Sequence, residues 1–219
     1  MINVKKFLFA AVAVALAFTA AACTRADDYD KISQLRTNVY FGTDGEAEFT
    51  AYAEERESPL CADGIPGERI AAIVIKIAQK SAFSGTNSIF IKVGDKEYSA
   101  TPTAVADNVL RAVIPVDELP KGEFYAALSG EKESAATLTS VFTGVDHRAA
   151  FETAKAELAG KLVYDGNALT GEFFVRALYE NGVSYWYVGY VTQENVFSLL
   201  ISEDGKQVIA AKDFKNDAK

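Results

Sequence analysis

The sequence predicts a mainly β protein: an antiparallel two-sheet β-sandwich followed by a small α+β domain with one helix on an antiparallel β meander. Three observations carry that reading. Between Thr37 and Phe142, short apolar runs are broken by Gly, Pro, Asp and Asn turn signals. At Asp146 the apolar spacing changes from that of a strand to that of a helix. Beyond Gly160 the strand pattern returns, and Asn181-Gly182 is the strongest hairpin signal in the chain.

In chain order, residues 1–22 come first and read as an export signal. Lys5 and Lys6 form a positive start, Phe7 to Ala22 contains only Thr19 as a polar residue, and Ala20-Ala21-Ala22 supplies a small-residue cleavage site. A membrane span needs about 20 apolar residues, so this run fits a cleaved segment better than a permanent anchor. Small Ala21 and Ala22 before Cys23 resemble the lipobox of bacterial lipoproteins, and the resemblance implies that Cys23 becomes the first mature residue and carries acyl chains. Ala20 stands where that family usually has a leucine-like residue, so an ordinary Ala-x-Ala site with a freely secreted product is the rival reading. The family's sorting rule associates Thr24 with the outer membrane where a cell has two membranes. The expected location is outside the cytoplasm, on a lipid anchor in the cell membrane or outer membrane.

Residues 23–36 are polar and acidic (Asp27, Asp28, Asp30) and read as a tether. Residues 37–143 read as the sandwich. Val39-Tyr40-Phe41 and Glu48 to Tyr52 flank an Asp44-Gly45 turn. Glu54 to Arg69 reads as a long loop, because two prolines and two glycines interrupt it. Ile70 to Ala78 is rich in Ile and Val and reads as a strand buried on both sides. Ile89 to Val93 and Lys96 to Ala100 bracket Gly94-Asp95, and Val109 to Val116, Glu123 to Ser129 and Ala135 to Phe142 complete the set. Pro115 and Pro120 mark strand ends. Arg111 to Pro115, followed by Leu119-Pro120-Lys121-Gly122-Glu123-Phe124-Tyr125, resembles bacterial immunoglobulin-like modules, where a leucine-proline-x-glycine turn precedes an aromatic-bearing strand. That resemblance covers about half of the mature chain and implies an immunoglobulin-like sandwich.

Residues 146–214 read as the α+β domain. Asp146 is a good N-cap, Phe151, Ala154 and Leu158 share a helix face, and Gly160 can end the helix. Phe173 to Glu180 and Val183 to Thr192 flank Asn181-Gly182, and Val196 to Ser202 and Gln207 to Phe214 flank Asp204-Gly205. With Glu180 opposite Val183, Ala177 stands opposite Trp186 and Val175 opposite Val188. Phe173, Val175, Ala177, Trp186, Val188 and Tyr190 then share the face that the helix covers. The order of helix and meander resembles small PepSY and cystatin-like folds of exported bacterial proteins, which implies a protease-regulating role as one alternative.

Charge narrows the partners. Residues 1–22 carry Lys5 and Lys6 and no acid, so the remainder holds 20 basic against 30 acidic residues, a formal charge of −10 where the whole chain has −8. Such a chain is repelled by phosphate backbones, which argues against nucleic acid. The membrane contact left to it is the lipid anchor. Cys61 is the one cysteine besides Cys23, so no disulfide framework is expected, and a half-buried inert thiol is the reading for it.

The sequence points away from an enzyme. His147 is the single histidine, and an exposed first-turn position is expected for it. No Gly-x-Ser-x-Gly, calcium-loop or phosphate-loop pattern occurs, so no catalytic residue, metal site or cofactor is assigned. The unusual composition lies in Tyr185-Trp186-Tyr187-Val188-Gly189-Tyr190. Alternation sends Tyr185 and Tyr187 away from the helix, and beside Arg176 they form a candidate binding face for a glycan, a peptide or a partner protein. The expected function is non-enzymatic binding or scaffolding in the cell envelope, with a carbohydrate- or peptide-binding accessory role as the alternative.

Overall fold

The computed structural model describes residues 28–216 apart from 84, 86, 131 and 132; Cys23 and the signal segment lie outside the described residues. The fold is mainly β, with one α-helix among those residues. After a 3-10 turn at Asp28–Lys31 come β1 (Ile32–Thr43), β2 (Ala47–Glu57), β3 (Arg69–Gln79), β4 (Ser88–Val93), β5 (Lys96–Ala100), β6 (Thr103–Ala106), β7 (Val109–Pro115), β8 (Phe124–Ser129) and β9 (Ser134–Ser140). Helix α1 (His147–Glu157) follows, then β10 (Tyr164–Asp165), β11 (Ala168–Leu169), β12 (Glu172–Glu180), β13 (Val183–Val191), β14 (Asn195–Ser202) and β15 (Val208–Lys215). Strands β10 and β11 form a separate small ribbon, and the other thirteen form one continuous sheet.

Strand β1 organises that sheet. One edge pairs with β2 along nearly its whole length, through Gln34 to Thr43. The other edge is divided: Ile32 to Arg36 run parallel to β12, and Tyr40 and Phe41 pair antiparallel with β9. From β2 the sheet continues through β3 and β7 to β6, from β12 through β13 and β14 to β15, and from β9 through β8 and β4 to β5.

Two large buried clusters result. In the first, Ile89, Ile91, Ala126, Leu128 and Leu138 of β4, β8 and β9 join Phe49, Ile73, Ile75, Ile77 and Ile114 of β2, β3 and β7. The second gathers Phe173, Val175, Ala177, Trp186, Val188 and Tyr190 under Phe151, Ala154 and Leu158 of the helix. Register in the β12–β13 hairpin is as expected, with Glu180 opposite Val183, Ala177 opposite Trp186 and Val175 opposite Val188. Asn181 and Gly182 both take positive φ angles, as a two-residue hairpin turn of this hand requires. The Asp146 carboxylate accepts from Arg148 N at 2.9 Å and caps the helix.

Three expectations are corrected here. The tether expected over 23–36 is part of the fold from Asp28 onward: Ile32 and Leu35 are buried in the second cluster, and Asp28 pairs with Lys155 at 2.9 Å. Its acidic composition conceals a strand whose Gln34 and Arg36 side chains find a partner in Glu54 instead of water. Ile32, Leu35 and Val39 also make the second cluster draw on residues before 146, so the expected division between the halves does not separate the two cores. The loop expected from Glu54 begins only after Glu57, because Glu54 to Glu57 continue the β2 ladder with both neighbours.

Candidate functional site

Alternation along β2 sends Phe49, Ala51 and Ala53 into the first buried cluster and Tyr52, Glu54 and Arg56 to the opposite face. Gln34 and Arg36 stand opposite Arg56 and Glu54 in the β1–β2 ladder and share that face. Across the parallel ladder Arg36 meets Arg176, and across β12–β13 Arg176 meets Tyr187. Four strands thus bring three arginines and two tyrosines together.

Glu54 lies at the centre, with its side chain fully buried. Its Oε2 accepts from Gln34 Nε2 at 2.7 Å and from Arg36 Nε at 3.1 Å, and its Oε1 accepts from Arg56 Nη1 at 3.1 Å. Gln34 relays the network onward, because its Oε1 accepts from Arg176 Nε at 2.6 Å. Aromatic rings fix the guanidinium planes. Arg36 lies 3.9 Å from the Tyr52 ring centroid, and Arg176 lies 4.9 Å from Phe174 and 5.4 Å from Tyr187. The Tyr187 hydroxyl is bonded to Ser198 Oγ at 3.0 Å. Burial pushes the Arg176 pKa down, and the neighbouring Arg36 adds to the effect; an arginine so perturbed still keeps its charge.

A strap, residues 58–68, borders this face. Leu60 packs on the small cluster of Phe174, Val191 and Val196. Both Glu57 carboxylate oxygens hold the strap, Oε1 accepting from Cys61 N at 3.1 Å and Oε2 from Gly67 N at 2.8 Å. At its middle, Gly64 N donates to Glu172 Oε1 at 2.8 Å. Gly64 has φ +82°, and a Cβ there would meet the backbone of Thr192 and Gln193 at 3.0 Å, so the close approach needs glycine. Glu172 is fully buried, and its Oε2 lacks a hydrogen-bond partner. Desolvation pushes its pKa up to about 7, against the opposing pull of Ser33 and the Gly64 amide.

Of the three sequence-derived binding residues, Arg176 and Tyr187 are brought together. Tyr185 lies further along β13, opposite Leu178 and Ser202, outside the arginine cluster. Gln34, Arg36, Tyr52, Glu54 and Arg56 were not singled out in the sequence. A signal for the β2 residues existed: the period-2 run Ala47, Phe49, Ala51, Ala53 continues into the charged stretch. Arg36 and Gln34 have no comparable signal, because they stand at the end of the polar segment read as a tether and Arg176 lies 142 positions from Gln34.

His147 is half-buried where an exposed position was expected, with its Nε2 bonded to the Tyr29 hydroxyl. Burial lowers its pKa, with Asp146 opposing. Cys61 is exposed where a half-buried thiol was expected, since the strap turns it outward while its amide faces Glu57. Among the described residues, no group of three His, Cys, Asp or Glu could hold a metal ion. A cleft lined by Gly64, Thr170, Gly171, Thr192 and Asn195 contains one carboxylate, Glu194, and neither His147 nor the arginines. No protein-family model, curated protein or solved structure matches the chain.

Proposed function

We propose that this chain is a non-enzymatic, lipid-anchored protein of the cell envelope, facing outside the cytoplasm, that binds a ligand on the sheet face carrying Arg176 and Tyr187. One observation supports the binding reading above the others: two hairpins remote in sequence, β1–β2 and β12–β13, gather Arg36, Arg56 and Arg176 beside Tyr52 and Tyr187, an arrangement more elaborate than a solvated sheet face needs. In this reading the strands of 37–143 are an immunoglobulin-like sandwich that stiffens β1 and β2. The helix and meander of 146–214 are an α+β unit that presents Arg176 and Tyr187. Candidate ligands are glycans, peptides and proteins, each able to combine an apolar contact with a hydrogen-bond acceptor.

Two experiments test the proposal. Cys23→Ser should release the protein into the medium or leave an uncleaved precursor, and detergent but not high salt should extract the wild type, because stable anchoring takes at least two acyl chains. Unchanged membrane association of Cys23→Ser would sink the lipoprotein reading. On glycan and peptide arrays, Tyr187→Ala should lose the signals that the wild type gives while keeping its circular dichroism. Identical array patterns for the two proteins would sink the choice of face.

A further inference from the structure

The arginine face holds more positive charge than its own structure uses. Arg36, Arg56 and Arg176 are neutralised by a single carboxylate, Glu54, which leaves two of the three charges unmatched within the network. A network serving the fold alone needs no such surplus, because like charges held close and half out of water repel and lose hydration. The surplus sits in a chain that is acidic as a whole, so it is local and not a by-product of composition.

The direction of the free donors matters as much as the charge. Arg36 and Arg176 make their hydrogen bonds to the protein through Nε, to Glu54 and to Gln34. Among the described residues neither has an acceptor for its Nη atoms, and Arg56 Nη2 also has none. The Arg36 and Arg56 side chains are 15% and 10% exposed, so both are recessed yet still meet solvent. Anchored Nε atoms and the rings of Tyr52, Phe174 and Tyr187 hold the guanidinium planes before any ligand arrives. Such preorganisation lowers the ordering cost of binding. Planar N–H forks match carboxylate and phosphate oxygens in a bidentate manner, which a lysine ammonium does not.

We infer that Arg36, Arg56 and Arg176 form a recessed site for a small doubly charged oxyanion, a phosphate monoester or a dicarboxylate, whose two charges match the unmatched pair. The oxyanion docks on the Nη atoms, Glu54 and Gln34 hold the forks from behind, and the Tyr187 ring flanks whatever group carries the anion. The inference rests on the same face as the binding reading and adds the charge of the ligand to it.

The test uses the full lipidated protein in a non-ionic detergent, titrated by calorimetry with inorganic phosphate, glucose 6-phosphate, malonate and neutral glucose. At least one of the anions should bind, weakening as sodium chloride is raised, and glucose should not; the tightest of the three tells phosphate ester from dicarboxylate. Arg176→Gln and Arg36→Gln should each weaken that binding roughly 10-fold or more, as expected for a lost charge-assisted hydrogen bond, and Arg111→Gln on β7 should leave it unchanged. Should the glutamine variants fail to fold, phenylglyoxal labelling of the wild type replaces them. Phosphate or malonate should then protect Arg36 and Arg176, read by mass spectrometry, and leave Arg111 reactive. Absence of binding by all three anions, equal binding by glucose, or no protection of the cluster overturns the site. A neutral array ligand captured through Tyr187 without any anion response overturns the oxyanion site alone and leaves the binding reading standing; loss of both responses removes both.

Discussion

Glu172 shows how one buried side chain can give the fold a pH dependence. An unfolded glutamate titrates near 4.5, while this one titrates at about 7 beneath the strap. Between those values the folded state keeps a proton that the unfolded state has released. The contribution of Glu172 to stability is therefore complete below pH 4.5 and is lost as pH rises through 7. Glu172→Gln should flatten that dependence, and the difference between variant and wild type in urea titrations at pH 5 and pH 8 should be on the order of 1–2 kcal/mol after allowing for screening near the strap. An unchanged pH profile in the variant would show that another group is responsible. Trp186 and Tyr187 form a second contrast at this scale. Trp186 is 1% exposed and packs edge-on against Phe142 at 4.9 Å between ring centroids, so Trp186→Ala should cost about 3–5 kcal/mol. Tyr187, half-exposed and on the other face, should cost much less on truncation, and chemical denaturation measures both. This division of neighbouring aromatics was legible in the sequence, because alternation and the Asn181-Gly182 turn leave one register. The role of Glu172 was not, since the desolvation comes from a strap over a hundred residues earlier in the chain.

Elements with a local cause were the legible ones. Asp146 caps the helix, and Asp146→Ala should cost about 1 kcal/mol by freeing the Arg148 amide; an equal midpoint for variant and wild type in thermal unfolding would show that Arg148 N finds another acceptor. Asn181-Gly182 sets its hairpin for reasons contained in two residues, whereas Asp44-Gly45 and Asp204-Gly205 sit in longer loops. Elements with a distant cause were misread. Glu54 to Glu57 are expected to open a loop, yet β1 and β3 enclose them, and Arg36 and Arg56 neutralise Glu54 from either side. Thr103 to Ala106 form an exposed edge strand on β7 with no sequence pattern to announce it. Glu54→Ala would leave the arginines facing one another across an empty position. Removing one partner of a buried ion pair costs about 3–5 kcal/mol, so the midpoint in urea should fall well below that of Glu54→Gln, which keeps a carbonyl acceptor for Gln34 and the arginines. Equal midpoints would mean that hydration of the guanidinium groups replaces Glu54.

For the molecule as a whole, the sequence suggests a boundary between Thr143 and Asp146, where strand spacing gives way to helical spacing. The chain does change architecture there, but the boundary is not one between independent parts. Strand β1 supplies Tyr40 to the first buried cluster and Ile32, Leu35 and Val39 to the second, and it is the strand against which β12 closes. A fragment beginning at Thr143 would lose those three apolar side chains and expose the β12 edge, at about 25 cal/mol per Å² of apolar surface left in water. Roughly 70 residues without a disulfide sit near the limit for autonomous folding even with a complete core. That fragment should therefore be unfolded or aggregated, and the same fragment with residues 28–43 linked ahead of it should recover the tryptophan burial of the whole protein. The intact chain should unfold in one transition, with Trp186 fluorescence and far-ultraviolet circular dichroism coincident in urea, because neither cluster can open without disturbing β1. Two separate transitions, or a fragment from Thr143 with native-like Trp186 emission, would show that the shared strand does not couple them. Coupling of this kind bears on the arginine face directly: Gln34 and Arg36 come from the segment that resembles a tether, so loss of β1 from the β12 edge would dismantle the face together with the fold.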